Sequence, residues 1–204
     1  MARRSTRSRV LLSLALVGSA AAVAGLGTYG SFTSTTSASQ TLATGTVTLA
    51  LGATGASTNR LTVNASGLVP GDTVQRSFDL SNTGSEDLAS VTLTSSATVS
   101  SLLDTDATDG LQMVVERCSV PWTEAGVSPA FTYTCGGTTA TVLASRAVIG
   151  SNVALSNLTV TTAGATDHLR LTLTLPATAG NALQGLSSTV SYGFTGTQRA
   201  ATNK

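Results

Sequence analysis

"HLRLTLTL" (His168–Leu175) decides the fold. Leu169, Leu171, Leu173 and Leu175 alternate with Arg170, Thr172 and Thr174. A period of two places the leucines on one face of a β-strand and the polar residues on the other. The same pattern recurs along the chain. Val190, Tyr192 and Phe194 alternate with Thr189, Ser191, Gly193 and Thr195. Val91 and Leu93 alternate with Ser90, Thr92 and Thr94, and Val47, Leu49 and Leu51 with Thr46, Thr48 and Ala50. Each stretch predicts a strand with one face in a core and one in water.

Less regular strands are expected near 60–66, 73–81, 111–118, 130–135, 139–148 and 154–161. Turn chemistry separates them at Pro70-Gly71-Asp72, Asn82-Thr83-Gly84, Asp109-Gly110 and Gly136-Gly137. About ten short strands at this spacing predict an all-β chain folded as a single antiparallel β-sandwich. The pattern fits a jelly roll or an immunoglobulin-like sandwich equally well. A helical turn is expected between Ala177 and Gln184.

The 204 residues suffice for one medium domain, and 41% hydrophobic residues exclude a disordered chain. Only 10% are charged, and Ser, Thr, Gly and Ala fill the gap. Four of the eleven basic residues are Arg3, Arg4, Arg7 and Arg9. Beyond residue 30, seven Lys and Arg face ten Asp and Glu, a net charge of −3 with a single lysine, Lys204. That balance argues against nucleic acid as a partner, since phosphate binding needs clustered cations.

Residues 1–30 read as a secretory signal: the arginines form a charged start, and "VLLSLALVGSAAAVAGLG" (Val10–Gly27) is the apolar run. The competing reading is an uncleaved membrane anchor, for which the run is short and diluted by Gly, Ser and Ala. Composition favours a cut after Ala24, with Gly30 as the alternative. Cys118 and Cys135 are the only cysteines. An even count in an exported chain predicts a disulfide closing a loop that holds Pro121, Trp122, Gly126 and Pro129. Two free thiols are the alternative. Trp122 is either a plug under that loop or an exposed anchor for a partner.

Three further stretches carry a resemblance. "GTYGSFTSTTSASQTLATGTVTLAL" (Gly27–Leu51) has a Gly-rich end, an aromatic, a small residue and a Phe, then a strand. "LTVNASGLVPGDTVQRSFDLSNTGSEDLASVTL" (Leu61–Leu93) and "LPATAGNALQGLSSTVSYGFTGTQ" (Leu175–Gln198) follow in order. Together they resemble the TasA/camelysin family of secreted proteins, processed by a dedicated signal peptidase and found in biofilm-matrix fibres. The resemblance implies jelly-roll topology and cleavage between Gly30 and Ser31. It leaves a mature domain of residues 31–204 whose first strand spans 31–40. It also implies extracellular or cell-surface localisation, with no membrane contact after cleavage. No sorting signal follows Gln198, so surface retention is expected to need polymerisation or another protein.

Catalytic residues are scarce. His168 is the only histidine and shares the polar strand face with Arg170 and Thr172. Neighbouring Asp167 points the opposite way, so a Ser–His–Asp site would need another acid folded in close. Camelysin-type relatives are classed as metallopeptidases, but the chain has no H-E-x-x-H, and one imidazole falls short of a catalytic zinc site. No cofactor is expected, and the expectation is a non-enzyme. "LLDTDATDGLQ" (Leu102–Gln112) places Asp104, Asp106 and Asp109 before Gly110 as a weak calcium candidate, out of register with the known loop. Its alternative is a solvated turn. Asn64-Ala65-Ser66 and Asn157-Leu158-Thr159 match a glycosylation pattern and are read as coincidence.

After cleavage, Ser31, Phe32, Thr33, Ser34, Thr35 and Thr36 open an uncharged, proline-free segment that runs to Gln40. Natural sheet edges are usually blunted by Lys or Pro. An unblunted segment can add as a strand to an exposed sheet edge, with Phe32 in a pocket. Donated to the next subunit, it gives a head-to-tail contact that does not close. The expected function is a structural protein polymerising with itself, with an accessory matrix protein as a further partner and the signal peptidase acting during export. The alternatives are a camelysin-like secreted metallopeptidase and a monomeric adhesin or accessory module.

Overall fold

A computed structural model of the chain describes residues 44–62 and 67–202. The expected signal segment, the 31–40 strand and Asn64 lie outside the described residues. Among the described residues the ten strands are β1 (Leu49–Leu51), β2 (Thr73–Asn82), β3 (Leu88–Val99), β4 (Gln112–Cys118), β5 (Thr123–Val127), β6 (Ala130–Thr134), β7 (Thr139–Ala147), β8 (Gly150–Ala154), β9 (Thr166–Thr174) and β10 (Thr189–Gln198). One short helix, α1 (Leu102–Thr105), and one 3₁₀ turn (Asn181–Leu183) join them among the described residues.

Two antiparallel sheets form, one ordered β1-β2-β9-β4-β7 and the other β10-β3-β8. The pairings are nested: β2 with β9, β3 with β8, β4 with β7, and β5 with β6 at the centre. This is one long hairpin wrapped so that successive pairs alternate between sheets, the winding of a jelly roll. The innermost pair joins neither sheet. The β5–β6 hairpin lies on the larger sheet instead, where the Trp122 indole N–H donates to the His168 carbonyl and the Tyr133 amide donates to Gln75. β10 takes the free side of β3.

The alternation in β9 holds. Leu169, Leu171 and Leu175 are buried, while His168, Arg170 and Thr172 face outward and are half-buried. Against them pack Phe78 and Leu80 of β2, Met113 and Val115 of β4, and Val91 and Leu93 of β3. Phe78 and Phe194 meet across the sandwich with ring centroids 5.3 Å apart. Such pairs contribute about 1 kcal/mol beyond their buried area. At the Val69–Asp72 turn, Gly71 sits at φ +96°, a conformation that side chains disfavour.

Three expected elements differ. Leu61 and Thr62 form a turn, so no strand starts near 60 among the described residues. The strand expected over 154–161 ends at Ala154, because the Thr159 and Val160 amides donate to the buried Asp167 carboxylate, both at 2.8 Å, and leave the ladder. Between the cysteines the strand expected near 130–135 forms as β6, and the part expected to be a loop supplies its partner, β5. Its Pro121 and Pro129 sit just outside the strands, where a missing amide costs nothing.

Candidate functional site

The outer face of the larger sheet collects most of the chemistry-bearing side chains. Register sets His168 opposite Asp79 and Arg170 opposite Glu116. His168 Nδ1 lies 2.8 Å from Asp79 Oδ1, and Arg170 is ion-paired with Glu116. Arg170 also stacks on the Trp122 ring, 4.3 Å from its centroid, and donates to the Tyr133 carbonyl. Trp122 is therefore the plug beneath the hairpin.

Farther along the hairpin, Arg60 grips Glu124 through two bonds of 2.9 and 2.6 Å, and the Tyr133 hydroxyl donates to the same carboxylate. The Arg60 bonds, with help from Tyr133, hold the Glu124 carboxyl below its ordinary range against the opposing effect of burial. Cys118 and Cys135 form the predicted disulfide, closing the base of the hairpin with Cα atoms 5.7 Å apart.

Asp79 is the acid that a Ser–His–Asp site would need beside His168. The nearby hydroxyls are engaged elsewhere. Ser77 donates to the Ser57 carbonyl, and Ser81 pairs with Thr166. The dyad thus has an orienting acid but no hydroxyl shown against the imidazole, and a nucleophile must be within hydrogen-bond reach of its base. Sequence reasoning missed Asp79 because 89 residues separate it from His168.

The three aspartates of the calcium candidate do separate work. Asp104 is buried and accepts from the Ser101 amide and from the Ser100 and Ser188 hydroxyls, capping α1. Asp106 accepts from the Thr108 and Asp109 amides, bonds that lower its carboxyl pKa. Asp109 receives the Thr178 hydroxyl. Own-chain donors thus occupy a carboxylate oxygen of each. A Ser-x-x-Asp capping pattern at Ser101–Asp104 was the local signal for this arrangement.

The family described as camelysin metallo-endopeptidase matches residues 9–203. The chain belongs to that family. No curated protein matches the chain. The family description implies a metal, and the side chains of this member can be tested against one. Every His, Cys, Asp and Glu of the sequence falls within the described residues. No three of them come together as a group that could hold a metal ion. Both thiols are spent in the disulfide, and the single imidazole faces one carboxylate. Catalytic zinc takes three protein ligands. The donor set of this camelysin-family chain does not fit one.

The smaller sheet offers a different kind of site. β10 is its terminal strand and pairs only with β3 among the described residues. Its ten residues, TVSYGFTGTQ, carry no charge and no proline. The edge therefore lacks charge and proline, two of the devices that usually blunt an edge strand, and its pairing with β3 is irregular at Thr189/Val190 and Thr197/Gln198.

Proposed function

We propose that the chain is a secreted structural protein whose subunits join head to tail into extracellular or cell-surface fibres. Export removes residues 1–30 through a signal peptidase, and Ser31–Gln40 of one subunit adds as a strand to the next. The observation that carries this reading is the long, uncharged edge of β10, which is unpaired among the described residues. Backbone N–H and C=O groups on such an edge are a ready template for an added strand. The donor matches it: Ser31–Gln40 is uncharged and proline-free.

Chain position and length are compatible with a segment that covers a β10 edge. Thr46 bonds to the Ser85 and Glu86 amides, and Glu86 is ion-paired at 2.5 Å with Arg199, just past the end of β10. Residues 31–43 would span roughly 43 Å when extended, enough to run the length of a ten-residue strand of roughly 33 Å. The partner is a second copy of the chain, with an accessory matrix protein as a further candidate. In this role the mature protein is not an enzyme. The donor set described above supports that part, since it does not fit the metal of a peptidase.

Negative-stain electron microscopy of protein beginning at Ser31, beside protein beginning at Leu42, tests the reading. Fibres are expected from the first and none from the second. Equal fibres from both would place the assembly contact elsewhere and refute strand donation.

A further inference from the structure

A cavity of about 390 Å³ opens between the two sheets at the end where β2 and β10 begin. Its walls include Leu68, Val74, Leu173, Leu186, Val190 and Tyr192. Arg76 also lines it, with its guanidinium 5.9 Å from the Phe131 ring centroid of the hairpin. Four large apolar side chains are exposed at this same end. Val69 precedes β2, Val99 lies opposite Thr189 at the start of β10, Leu102 opens α1 and Leu186 precedes β10. They are 57%, 55%, 49% and 38% exposed. Exposed apolar residues gathered at the rim of an apolar cavity mark an interaction surface.

The chain enters the sandwich at the opposite end. The Thr46 carbonyl accepts from the Ser85 and Glu86 amides, and Glu86 is ion-paired with Arg199, just past the end of β10. That entry point sets a direction. Laid back on its own β10 edge, a segment of residues 31–43 would run parallel to β10. Laid on the β10 edge of a neighbour whose cavity end faces the entry point, it runs antiparallel. All the strand pairs among the described residues are antiparallel, and such pairing is slightly stronger per residue. The segment also has a pattern. Phe32, Ala38 and Leu42 occupy even positions, whereas Ser31, Thr33, Thr35, Ser37, Ser39 and Thr41 occupy odd ones. In an added strand the apolar residues would share one face and these hydroxyls the other.

From this geometry we propose that the cavity receives Leu42 of a second copy, whose added strand runs antiparallel to β10 from the cavity end. The inference rests on the strand donation proposed above and adds its direction, register and anchor. Val190 and Tyr192 pack inward against the core. Leu42 set opposite Val190 therefore faces the cavity, and antiparallel register brings Gln40 opposite Tyr192. Burial pushes the Tyr192 hydroxyl up to about 12, so it stays protonated at neutral pH and can donate to the Gln40 side-chain carbonyl. At about 30 Å³ per non-hydrogen group, the two side chains need about 270 Å³, which the cavity provides. Phe32, ten residues before Leu42, then falls about 33 Å away, near the other end of the ten-residue β10. Such a contact joins unlike surfaces and propagates without closing.

Oxidative crosslinking of fibres grown from protein beginning at Ser31 tests the direction. Opposed residues of an antiparallel pair have Cβ atoms about 4.5–5.5 Å apart, near enough for a disulfide. Leu42→Cys combined with Val190→Cys should give a ladder of linked subunits on a non-reducing gel, with the 42–190 bridge identified by peptide mass spectrometry. Phe32→Cys combined with Val190→Cys should give no ladder. Fibres in which position 32 and not 42 links to 190 would overturn the direction and leave strand donation standing. No fibres from the parent protein would overturn both, and so would a 32–190 bridge within single chains, which would place the segment on its own edge. Substitutions on the two faces give a second readout. Leu42→Asp should raise the concentration needed for fibres about tenfold or more, because it puts a charge in the cavity. Thr41→Asp, on the hydroxyl face, should leave it within about twofold. Equal effects of the two would refute the placement of Leu42.

Discussion

Asp104 is expected to be among the most sensitive polar positions in the chain. It is 5% exposed, and its carboxylate accepts from the Ser101 amide at 2.7 Å, the Ser100 hydroxyl at 2.8 Å and the Ser188 hydroxyl at 2.5 Å. The first two bonds close the start of α1, and the third ties it to the segment preceding β10. Asp104→Ala strands these donors together. The hydroxyls can turn to other partners, but the amide cannot. A stranded buried donor costs about 1–3 kcal/mol, and a lost cap about 1 kcal/mol. A total near 3 kcal/mol is expected, and for a chain of this size it should lower Tm by about 6–12 °C.

The pH dependence separates this account from simple loss of packing. Burial acts to raise the Asp104 carboxyl pKa, but the bonds from Ser188, Ser101 and Ser100 outweigh it and hold the group below its ordinary value. The folded state therefore takes up this proton at lower pH than the unfolded state, whose aspartate titrates near about 3.9. The contribution is complete above that value and is lost as pH falls through the lower folded pKa. Circular-dichroism melts of the parent and Asp104→Ala should differ fully at pH 7 and pH 5, and converge towards pH 2. A Tm difference under about 2 °C at pH 7, or one that stays constant down to pH 2, would refute the reasoning.

Replacing both Cys118 and Cys135 by Ala should cost about 3 kcal/mol in urea denaturation, because the bridge closes a loop of 17 residues. An unchanged urea midpoint would show that closing this loop adds nothing to stability and would refute the entropic account. Leu171→Ala, at a position 2% exposed in the core, should cost about 2–5 kcal/mol by the same assay. Dialysis against EDTA should leave Tm unchanged, and added zinc should not bind stoichiometrically to the monomer. One tightly held zinc per chain would contradict the ligand count given by the side chains.

The sheets were legible in the sequence because their signal is local. Leu169 to Leu175 and Val190 to Phe194 each carry a period of two within one strand, and burial on one face enforces it. The hairpin was less legible. Pro121, Gly126 and Pro129 are loop-forming by composition and hide β5, although it pairs along its length with the expected strand β6. The error over 154–161 has a similar origin. Val160 looks like a strand residue, but its amide bonds to Asp167, a buried acid whose position on the core face follows from the alternation of β9. Alternation assigns a side to each residue and no partner.

That limit explains why the candidate site was harder to read than the fold. The facing of His168 was readable from β9 alone, whereas its carboxylate arrives from β2 through register. Arg76 shows the reverse case. Its place among Val74, Phe78 and Leu80 is a local departure from pattern, visible without any partner. A charge on the core face of a strand conflicts with burial, and here the guanidinium lies 5.9 Å from the Phe131 ring of the hairpin. The aspartates of Leu102–Gln112 conflict with nothing. Each meets donors within its own turns or on the neighbouring Thr178 and Ser188, which is ordinary capping. An acidic run whose oxygens are met by its own turns and neighbours is thus weak evidence for a ligand.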